Sequence, residues 1–474
     1  MNWLPLDDEG EGVLRRAPAG CLFLFYCLTL QLGLSSESFV LSVSVAFFAM
    51  TGWVLLGSYP FAKGSPPVLF LILAFSLLGG YSIFLRIHQE ISLPPVLRGE
   101  GVVREIRPWG RSTVALADFK EGRFLLKGEA SASLKAGDRI FVAAALSALK
   151  RAEDARGFDE KLYWRGMGVI GVMRPWKLEI RGTVGGMPRW RSVLDTRLQR
   201  LPTRTRGYLR AALLGEREEE LQELHRQAGS VHLLAVSGFH VGIVAGIAWF
   251  FFRTLPFKFF LMSGSVWFYV VLAGGAPSAI RAAVMLQIVL LGRALGRPSD
   301  AFNGVCAAGA LMLLWNPWLF WNIGWRFSIL AVMVLTSAPS LFVAPLVWLI
   351  TAPLAAWTFG NTPLAGMIVN VFALPIFAVL FPLALLFSLP VILGLPGGFL
   401  FAAVPEGLFH LWELLSSVLV FLFPWQVSYS NILLIGAVLP LGWLLAKASG
   451  FSPLRAVGAS FFFCVFFCMF LSVI

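Results

Sequence analysis

The chain has 474 residues, of which 58% are hydrophobic and only 14% are charged, and its formal net charge is +12. Its mean hydropathy is +0.77. Soluble globular domains carry about a quarter charged residues, so this composition excludes an ordinary soluble protein and indicates an integral membrane protein. The five cysteines all lie in apolar runs without zinc or haem spacing, and we expect them to fill helix faces.

The N-terminal region, residues 1–92, is predicted to form a membrane anchor. Three apolar runs approach the roughly 20 residues that a membrane helix needs, at about 18–34, 39–59 and 66–86. Arg15 and Arg16 precede the first run, and Lys63 lies between the second and third. Short cytoplasmic loops are rich in Lys and Arg, so we expect these loops inside and the following segment outside. No clear cleavage site follows the first run, which favours an uncleaved helix.

The positive charge is concentrated in one polar insert. Between Arg86 and Arg226 lie 27 of the 38 Lys and Arg and 18 of the 26 acids, an excess of nine positive charges. A long basic domain outside the membrane suggests an anionic partner there. A solvated basic surface would carry the same charge, however, so this signal alone leaves both interpretations open.

The first part of the insert, residues 93–182, is predicted to form a small β-barrel. Five strand-sized runs, GEGVVREIRP, RSTVALADF, GRFLLKGEA, DRIFVAAAL and GVIGVMRP, are separated by turn residues such as KAGD. Five short strands suit a barrel of the OB type, and OB barrels commonly bind single-stranded nucleic acid. The candidate DNA-binding residues are Arg104, Arg107, Trp109, Arg111, Lys120, Arg123 and Lys127. Trp109 lies in a Pro-Trp-Gly turn, where turn packing and base stacking are equally expected.

Residues 183–230 are predicted to form amphipathic helices at the membrane surface. Apolar residues recur there at helical spacing, at Trp190, Val193, Leu194, Leu198 and Leu201. Arginines surround this apolar stripe, which is typical of a helix in the headgroup layer. Lipid contact is the expected role, and DNA contact is the alternative.

Residues 231–474 are predicted to form a large membrane domain, which brings the total to about eleven spans. This domain contains only eight basic and three acidic residues. Polar and charged groups at membrane depth are costly and usually face a bundle interior or an aqueous route. The candidates for lining such a route are His232, Ser237, His240, Ser278, Arg281, Asp300, Asn303, Arg326 and Asn370.

The stretch HLLAVSGFHVGIVAG, residues 232–246, is predicted to be a close-packed helix with a polar edge. Its small-residue ridge consists of Gly238, Gly242 and Gly246. Such a ridge lets another membrane helix approach closely. Ser237 and His240 are three residues apart and would share a helix face, as pore lining or as inter-helix hydrogen-bonding groups. A nucleophile and base is the enzymatic alternative, but no nearby acid would orient the base.

The stretch GGAPSAIRAAVM is predicted to break a membrane helix. Pro277 can start a new helix after the glycine pair, and Arg281 would fall one turn inside it. A helix N-terminus and an arginine that face a cavity would form a phosphate contact, although Arg281 could instead reach headgroups at a helix end. Further along, Asp300 and Asn303 open another helix, and Arg326 is a possible partner of Asp300.

Four blocks of this domain resemble, in order, successive blocks of the ComEC family of competence membrane proteins: RQAGSVHLLAVSGFHVGIVAG, GAPSAIRAAVML, SDAFNGVCAAGALMLLWNPWLFWNIGWRFSILAV and NTPLAGMIVNVFALPIFAVLFPLAL. The segment RGFDEKLYWRGMGVIGVM resembles the end of that family's periplasmic OB domain. The resemblance covers roughly residues 98–182 and 205–440. It implies a multi-pass inner-membrane protein with an extracytoplasmic OB domain, which transports single-stranded DNA across the cytoplasmic membrane during natural transformation.

The resemblance also implies a set of partners. Single-stranded DNA and membrane lipids would be bound directly, and a periplasmic DNA receptor would deliver the strand. The sequence contains no G-x-x-x-x-G-K-[ST] motif, so a cytoplasmic ATP-driven, helicase-like motor would pull the strand.

Many members of the family end in a metallo-β-lactamase-like domain. With five histidines and no H-x-H-x-D-H run, we expect no such nuclease centre, no metal and no cofactor, so that any strand degradation would need a separate nuclease. A DNA channel rather than an enzyme is therefore expected. A transporter or flippase of another anionic substrate, such as a lipid or glycan, is the alternative.

Overall fold

The computed structural model describes residues 66–89, 91–109, 112–128, 133–151, 159–296, 301–337 and 343–428, and the helical residues Phe23, Tyr26, Cys27, Thr29 and Leu30. The chain divides into two compact units. Unit 1 comprises Met1–Gly185, Thr254–Gly264 and Ile280–Ser337, and unit 2 comprises Gly186–Arg253, Ser265–Ala279 and Ala338–Ile474. The span predicted at 39–59 and any span after residue 428 lie outside the described residues.

The strands are β1 (Val96–Trp109), β2 (Ser112–Phe119), β3 (Gly122–Lys127), β4 (Asp138–Ser147), β5 (Val169–Thr183), β6 (Asn361–Pro363) and β7 (Gln426–Ser428). The helices are α1 (Pro66–His88), α2 (Glu160–Gly166), α3 (Met187–Leu198), α4 (Thr203–Leu214), α5 (Glu219–Gln227), α6 (Gly238–Phe252), α7 (Lys258–Leu272), α8 (Pro277–Ala294), α9 (Ala301–Trp315), α10 (Ile323–Ser337), α11 (Val343–Phe359), α12 (Ala365–Leu393) and α13 (Gly398–Leu422). Short 3-10 turns occur at Val231–Leu233 and Pro317–Trp321.

Strands β1 to β5 close into a barrel in the order β1-β2-β3-β5-β4. β3 pairs with β5 in parallel, and the other neighbouring strands are antiparallel. β1 pairs with both β2 and β4, and a bulge between Val103 and Glu105 bends it. Alternate side chains, among them Val103, Phe124 and Ile140, fill the barrel interior. The predicted five-stranded, OB-like barrel is confirmed.

Helix α2 covers the outer face of β2 and β3. Its N-terminus is capped by the Asp159 carboxylate, which accepts a hydrogen bond from the backbone N–H of Leu162 at 2.9 Å. Trp164 of α2 is fully buried and packs in a cluster with Val114, Leu116 and other apolar residues. The outer face of these two strands is therefore occupied by a helix.

The helical part of unit 1 contains a separate apolar core. The N-terminal helical residues, α1, α9, α10 and the turn Pro317–Trp321 form it, and its members include Tyr26, Ile83, Leu313, Leu319 and Trp325. Arg86, in the last turn of α1, donates to the carbonyls of Leu314 and Trp315 at 2.6 and 2.9 Å. This cation caps the C-terminus of α9, where the helix dipole favours positive charge.

Unit 2 is organised around α4, α12 and α13. Tyr208 of α4 stacks on Phe409 of α13 with 4.0 Å between ring centroids, and Phe377 of α12 meets Trp412 edge-on at 5.1 Å. α4 is mostly buried within this unit, unlike a helix that rests only on a membrane surface. α3 is more exposed, with Trp190 68% accessible, and fits the predicted surface helix better.

Three described helices, α8, α12 and α13, are long and apolar enough to cross a membrane. Shorter apolar helices or helix segments occur at Gly238–Phe252, Lys258–Leu272, Gly304–Trp315, Ile323–Thr336 and Val343–Phe359. These features fit a helical membrane protein that carries an OB-like barrel. The total of about eleven spans stays a prediction.

Candidate functional site

Asp118 of β2 lies between two of the predicted DNA-binding arginines. The Nε atoms of Arg104 and Arg123 donate to its carboxylate at 2.8 and 2.7 Å, and Arg123 Nη1 also donates to the carbonyl of Met167 at 2.9 Å. Burial alone would raise the pKa of Asp118, but the hydrogen bonds from Arg123 and Arg104 hold it below its usual value. The ionised carboxylate therefore leaves one net positive charge on these three side chains.

Two further predicted cations are also paired with carboxylates. Arg107 Nε donates to Glu105 at 2.7 Å, and its Nη1 donates to the hydroxyl of Tyr163 at 3.1 Å. Lys127 of β3 forms a salt bridge with Glu160 of α2. These pairs fasten α2 to the barrel and add no net charge to the surface.

The remaining predicted barrel residues are placed differently. The Trp109 ring packs against the rings of Tyr163 and Trp164, with centroids 5.4 and 4.7 Å apart. Of the two roles expected for Trp109, this arrangement favours packing over base stacking. Lys120 is exposed in the turn between β2 and β3. Arg111 lies outside the described residues.

Helix α2 also joins the barrel to the turn between α9 and α10. Asn316 Nδ2 donates to the carbonyl of Gly166 at 3.2 Å, and the Arg165 guanidinium lies 5.8 Å from the centroid of the Trp318 ring. A Cβ atom at Gly166 would lie 3.2 Å from the Trp318 carbonyl oxygen, so glycine permits the close approach. OB barrels commonly bind oligonucleotides on the face of strands 2 and 3, but in this barrel α2 occupies that face, and the turn packs against α2.

Arg281 is buried in unit 1 with most of its hydrogen-bonding capacity unused. Its side chain is among the most deeply buried in the protein, with 1% exposure, and its Nη2 donates to the carbonyl of Gly324 at 2.8 Å. Its Nε and Nη1 have no partner among the described residues, and neither has the Nε1 of Trp325, the residue after Gly324. A buried cation without enough acceptors costs several kcal/mol. These unmatched donors can therefore bind an anion or another acceptor.

The helix break predicted before Arg281 is confirmed. Gly274 and Gly275 have φ angles of +83° and +69°, in the left-handed region that glycine adopts without strain. α8 then begins at Pro277, and Arg281 lies four residues further on. The glycine pair and the proline therefore predicted the position of this break correctly.

The stretch around Ser237 is not one continuous helix, but Ser237 and His240 lie side by side at the start of α6, with the Ser237 hydroxyl oxygen 3.2 Å from His240 Nδ1. Val231–Leu233 forms a 3-10 turn, and α6 starts at Gly238. Ser237 is the N-cap of α6: its hydroxyl accepts from the backbone N–H of His240, and its own N–H donates to His240 Nδ1 at 3.4 Å. The two residues form a reciprocal cap of the capping-box kind, because a serine beside the helix start satisfies otherwise unpaired N–H groups.

The other predicted polar residues of unit 2 are scattered. His232 is exposed in the 3-10 turn, whereas the His240 ring is buried against Phe381 at a centroid distance of 4.7 Å. The hydroxyl of Ser278 donates to a backbone carbonyl, that of Val236. His240 Nε2 is a buried atom that has no partner among the residues described. The structure does not place these side chains along a single line.

The side-chain amide of Asn370, in α12, uses only part of its hydrogen-bonding capacity. Its Nδ2 donates to the carbonyl of Gly229 at 3.3 Å, and its buried Oδ1 meets no donor in the described part of the chain. The backbone at Gly229 lies against the start of α12, since a Cβ atom at Gly229 would be 2.7 Å from the Cα of Gly366. Asn370 therefore holds the loop before the 3-10 turn, which is a structural role, and its role in lining a pore stays a prediction.

The predicted glycine ridge is open in the described part of the chain. Gly238, Gly242 and Gly246 are all exposed. A Cβ atom at Gly242 or Gly246 would meet no atom within 4 Å. No described helix packs on this ridge, so the close packing predicted there is not found among these helices.

The predicted pairing of Arg326 with Asp300 concerns residues that are only partly described. Arg326 Nε donates to the carbonyl of Phe320 at 2.6 Å, and the guanidinium lies 4.8 Å from the Phe320 ring centroid. Asp300 and the side chain of Asn303 lie outside the described residues. Among the described residues, Arg326 therefore stabilises the turn before α10.

A second charged surface on the barrel was missed by the sequence analysis. The outer face of β4 and its neighbours carries the basic residues Arg98, Arg139, Arg174, Lys177 and Arg181. Trp176, beside Lys177, is 56% exposed. The run RPWK, a tryptophan between basic residues, is the signal that could have indicated this face. Within the described ranges, no three His, Cys, Asp or Glu side chains are grouped so that they could hold a metal ion.

Comparisons with known proteins agree on one family. The family model described as "Competence protein" matches residues 213–450. "ComE operon protein 3" of Bacillus subtilis (strain 168) is 32% identical over 149 residues, which cover 30% of this chain and 19% of that protein. "Competence protein ComA" of Neisseria gonorrhoeae is 28% identical over 256 residues, which cover 47% of this chain and 37% of that protein.

These matches have limited extent in the relatives, since they span well under half the length of either curated protein. No solved structure matches the chain. The family match nevertheless covers half of the chain, and it includes the Ser237 cap, the broken helix and Arg281. The chain therefore belongs to the ComEC family of competence membrane proteins.

Proposed function

We propose that this protein conducts single-stranded DNA across the cytoplasmic membrane during natural transformation, with its barrel receiving the strand on the outer side. Membership of a competence family supports a role in DNA uptake. The observation that carries the channel function is the buried Arg281, whose Nε and Nη1 lack partners in the part of the chain that the structure describes.

A guanidinium offers five N–H donors in a planar fork that matches phosphate oxygens. At Arg281, Nη2 donates to the Gly324 carbonyl, and Nε and Nη1 meet no acceptor in the described ranges. A passing phosphodiester would satisfy the free donors in turn, and a buried arginine of this kind is otherwise difficult to explain on grounds of stability.

The channel works with partners in this proposal. A periplasmic receptor delivers DNA, an ATP-driven cytoplasmic motor pulls one strand, and a separate nuclease degrades the other where this is required. The sequence contains no phosphate-binding loop motif, which supports an external source of energy.

The test is transformation of a naturally competent host whose own ComEC protein has been replaced by this chain. The Arg281→Ala variant should give roughly a hundredfold fewer transformants, the size expected for losing one buried charge contact. Arg281→Lys should fall in between, because it keeps the charge but loses the fork. The matched control is Arg293→Ala, at the exposed end of the same helix.

Counts are normalised to the amount of protein in the membrane. Equal transformation by the Arg281→Ala and Arg293→Ala variants would remove Arg281 from the DNA path. Labelled DNA separates DNA transport from lipid or glycan transport: an Arg281→Ala variant that takes up DNA normally but changes the lipid distribution would favour a flippase.

A further inference from the structure

The face of the barrel centred on β4 carries several exposed side chains in the described part of the chain and lies across the barrel from α2. The strand order β1-β2-β3-β5-β4 makes β1 and β5 the neighbours of β4, so β2 and β3 are on the opposite side. Helix α2 and the turn Pro317–Trp321 occupy that opposite side. The β4 face is therefore directed away from the turn on which the barrel rests.

Small side chains form the floor of this face. Val142 and Ala144 of β4 point into the barrel core, so Ala143 and Ala145 point outward. Ala143 is paired with Arg98 of β1 on one side and Lys177 of β5 on the other. Arg98 on one side, and Lys177 and Arg174 on the other, therefore flank a strip of two alanines, and Glu100 and Glu179 flank Phe141 further along β4.

An exposed tryptophan, Trp176, lies beside this strip of alanines. The register of β5 shifts between Ala143 and Ala144, so that Lys177 and Pro175 have partners on β4 and Trp176 has none. Such a bulge re-aims a side chain, and Trp176 is largely exposed. An exposed indole beside cations is a surface on which nucleobases stack.

The β4 face also has cations that no carboxylate neutralises. Lys177 pairs with Glu179 at 2.8 Å, and Arg181 pairs with Glu100 at 2.6 Å. Arg98, Arg139 and Arg174, in contrast, form no salt bridge with any carboxylate of the described chain. Around α2 the opposite holds, because Arg104, Arg107, Arg123 and Lys127 all contact acids.

We propose that the β4 face, and not the face of β2 and β3, is where the barrel binds single-stranded DNA. Phosphates lie along Arg98, Arg174 and Lys177, and a base stacks on Trp176. The assignment rests on the proposed channel function, since it specifies where that function's strand first binds. The exposed cations and the exposed aromatic side chain suit a polyanion with unpaired bases.

The experiment measures binding of a fluorescent oligothymidylate to the full chain in nanodiscs of zwitterionic lipid at two salt concentrations. Trp176→Ala should weaken binding about tenfold, as expected for the loss of one stacked base, and Trp176→Phe should retain most of it. Arg98→Ala combined with Arg174→Ala should weaken binding and reduce the slope of log K against log salt by about 1.4, because two phosphate contacts are lost. The matched control, Arg104→Ala with Lys120→Ala, changes two exposed cations elsewhere on the barrel and should have less than a twofold effect.

Three outcomes would overturn the proposal. If the control pair weakens binding and Trp176→Ala does not, the β4 face is wrong while the channel function stands. If the unaltered protein shows no salt-dependent binding, reception of the strand by the barrel fails together with the β4 assignment. If Trp176→Ala leaves DNA binding intact but abolishes binding to vesicles that contain anionic lipid, the face contacts membrane instead.

Discussion

Thr205 of α4 donates both its backbone N–H and its hydroxyl to Glu406 of α13, each at 2.9 Å. The backbone N–H of Arg204 donates to the same carboxylate at 3.2 Å, and the Arg204 guanidinium pairs with Glu413 at 2.7 Å. α4 has no side-chain cap of its own, since Pro202 occupies the N-cap. An acid of the predicted membrane domain therefore caps a helix of the polar insert, where the helix dipole favours negative charge.

Replacement of Glu406 by Ala should destabilise unit 2 by about 1–3 kcal/mol, because the N-terminal donors of α4 lose their acceptor. Glu406→Gln keeps an acceptor oxygen but loses the charge, and should cost less. The measurement is the melting temperature in detergent, with His410→Ala on the exposed side of the same helix as the control. An Ala variant at position 406 as stable as the control would show that α4 does not depend on this cap.

Arg191 of α3 caps two helices at their other ends. It donates to the carbonyls of Leu272, the last residue of α7, and Leu214, the last residue of α4, at 2.6 and 2.9 Å. Arg191→Ala should lower stability by about 1–2 kcal/mol, and Lys should restore part of it, since one cation still faces both C-termini. Arg189→Ala, on the exposed part of α3, is the control. The same loss at both positions would point to charge in general rather than to capping.

Acid should destabilise unit 2 through His225. Its ring lies 2.8 Å from the Tyr208 hydroxyl and 2.8 Å from the Ser230 hydroxyl, and burial lowers its pKa to about 4, against about 6.5 in an unfolded chain. As the pH falls below 6.5, the unfolded chain binds a proton that the folded chain does not bind until about pH 4. Stability is therefore lost across this window and is unaffected above it.

The measurement compares the wild-type chain with His225→Gln in detergent at pH 7.5 and pH 4.5. Gln cannot be protonated, so the stability advantage of the wild type should be smaller at the lower pH. Parallel pH profiles for the two proteins would mean that His225 does not contribute to the acid sensitivity.

The features that the sequence predicted correctly depend on local chemistry. The barrel strands follow alternating polarity and glycine turns, and the break before Pro277 follows from the residues on either side of it. The partners of the charges could not be predicted, because they are set by tertiary structure. Asp118 meets Arg104 through strand register, and Thr205 meets Glu406 across a separation of 201 residues. For this reason the arginines predicted to bind DNA are paired with carboxylates, and the cations without such partners among the described residues lie on the β4 face.

Ser237 is a local feature that was misinterpreted, since a serine before a glycine and a helical run is a common N-cap. As a cap, Ser237 can be replaced by another residue with a side-chain acceptor. Ser237→Ala should cost about 1 kcal/mol of stability, and Ser237→Asn should restore most of it. DNA uptake in the competent host should follow the same order, with the Asn variant close to the wild type.

If Ser237 acted as a nucleophile, the variants would give a different result, because its hydroxyl would itself have to form a covalent bond. In that case Ser237→Asn would be as stable as the wild type and yet inactive, and His240→Gln would be inactive as well. Measuring stability and transformation for the same variants separates the two roles. We expect the Asn variant to keep both properties, since the hydroxyl of Ser237 accepts from the backbone N–H of His240, a bond that the Asn side chain can also make.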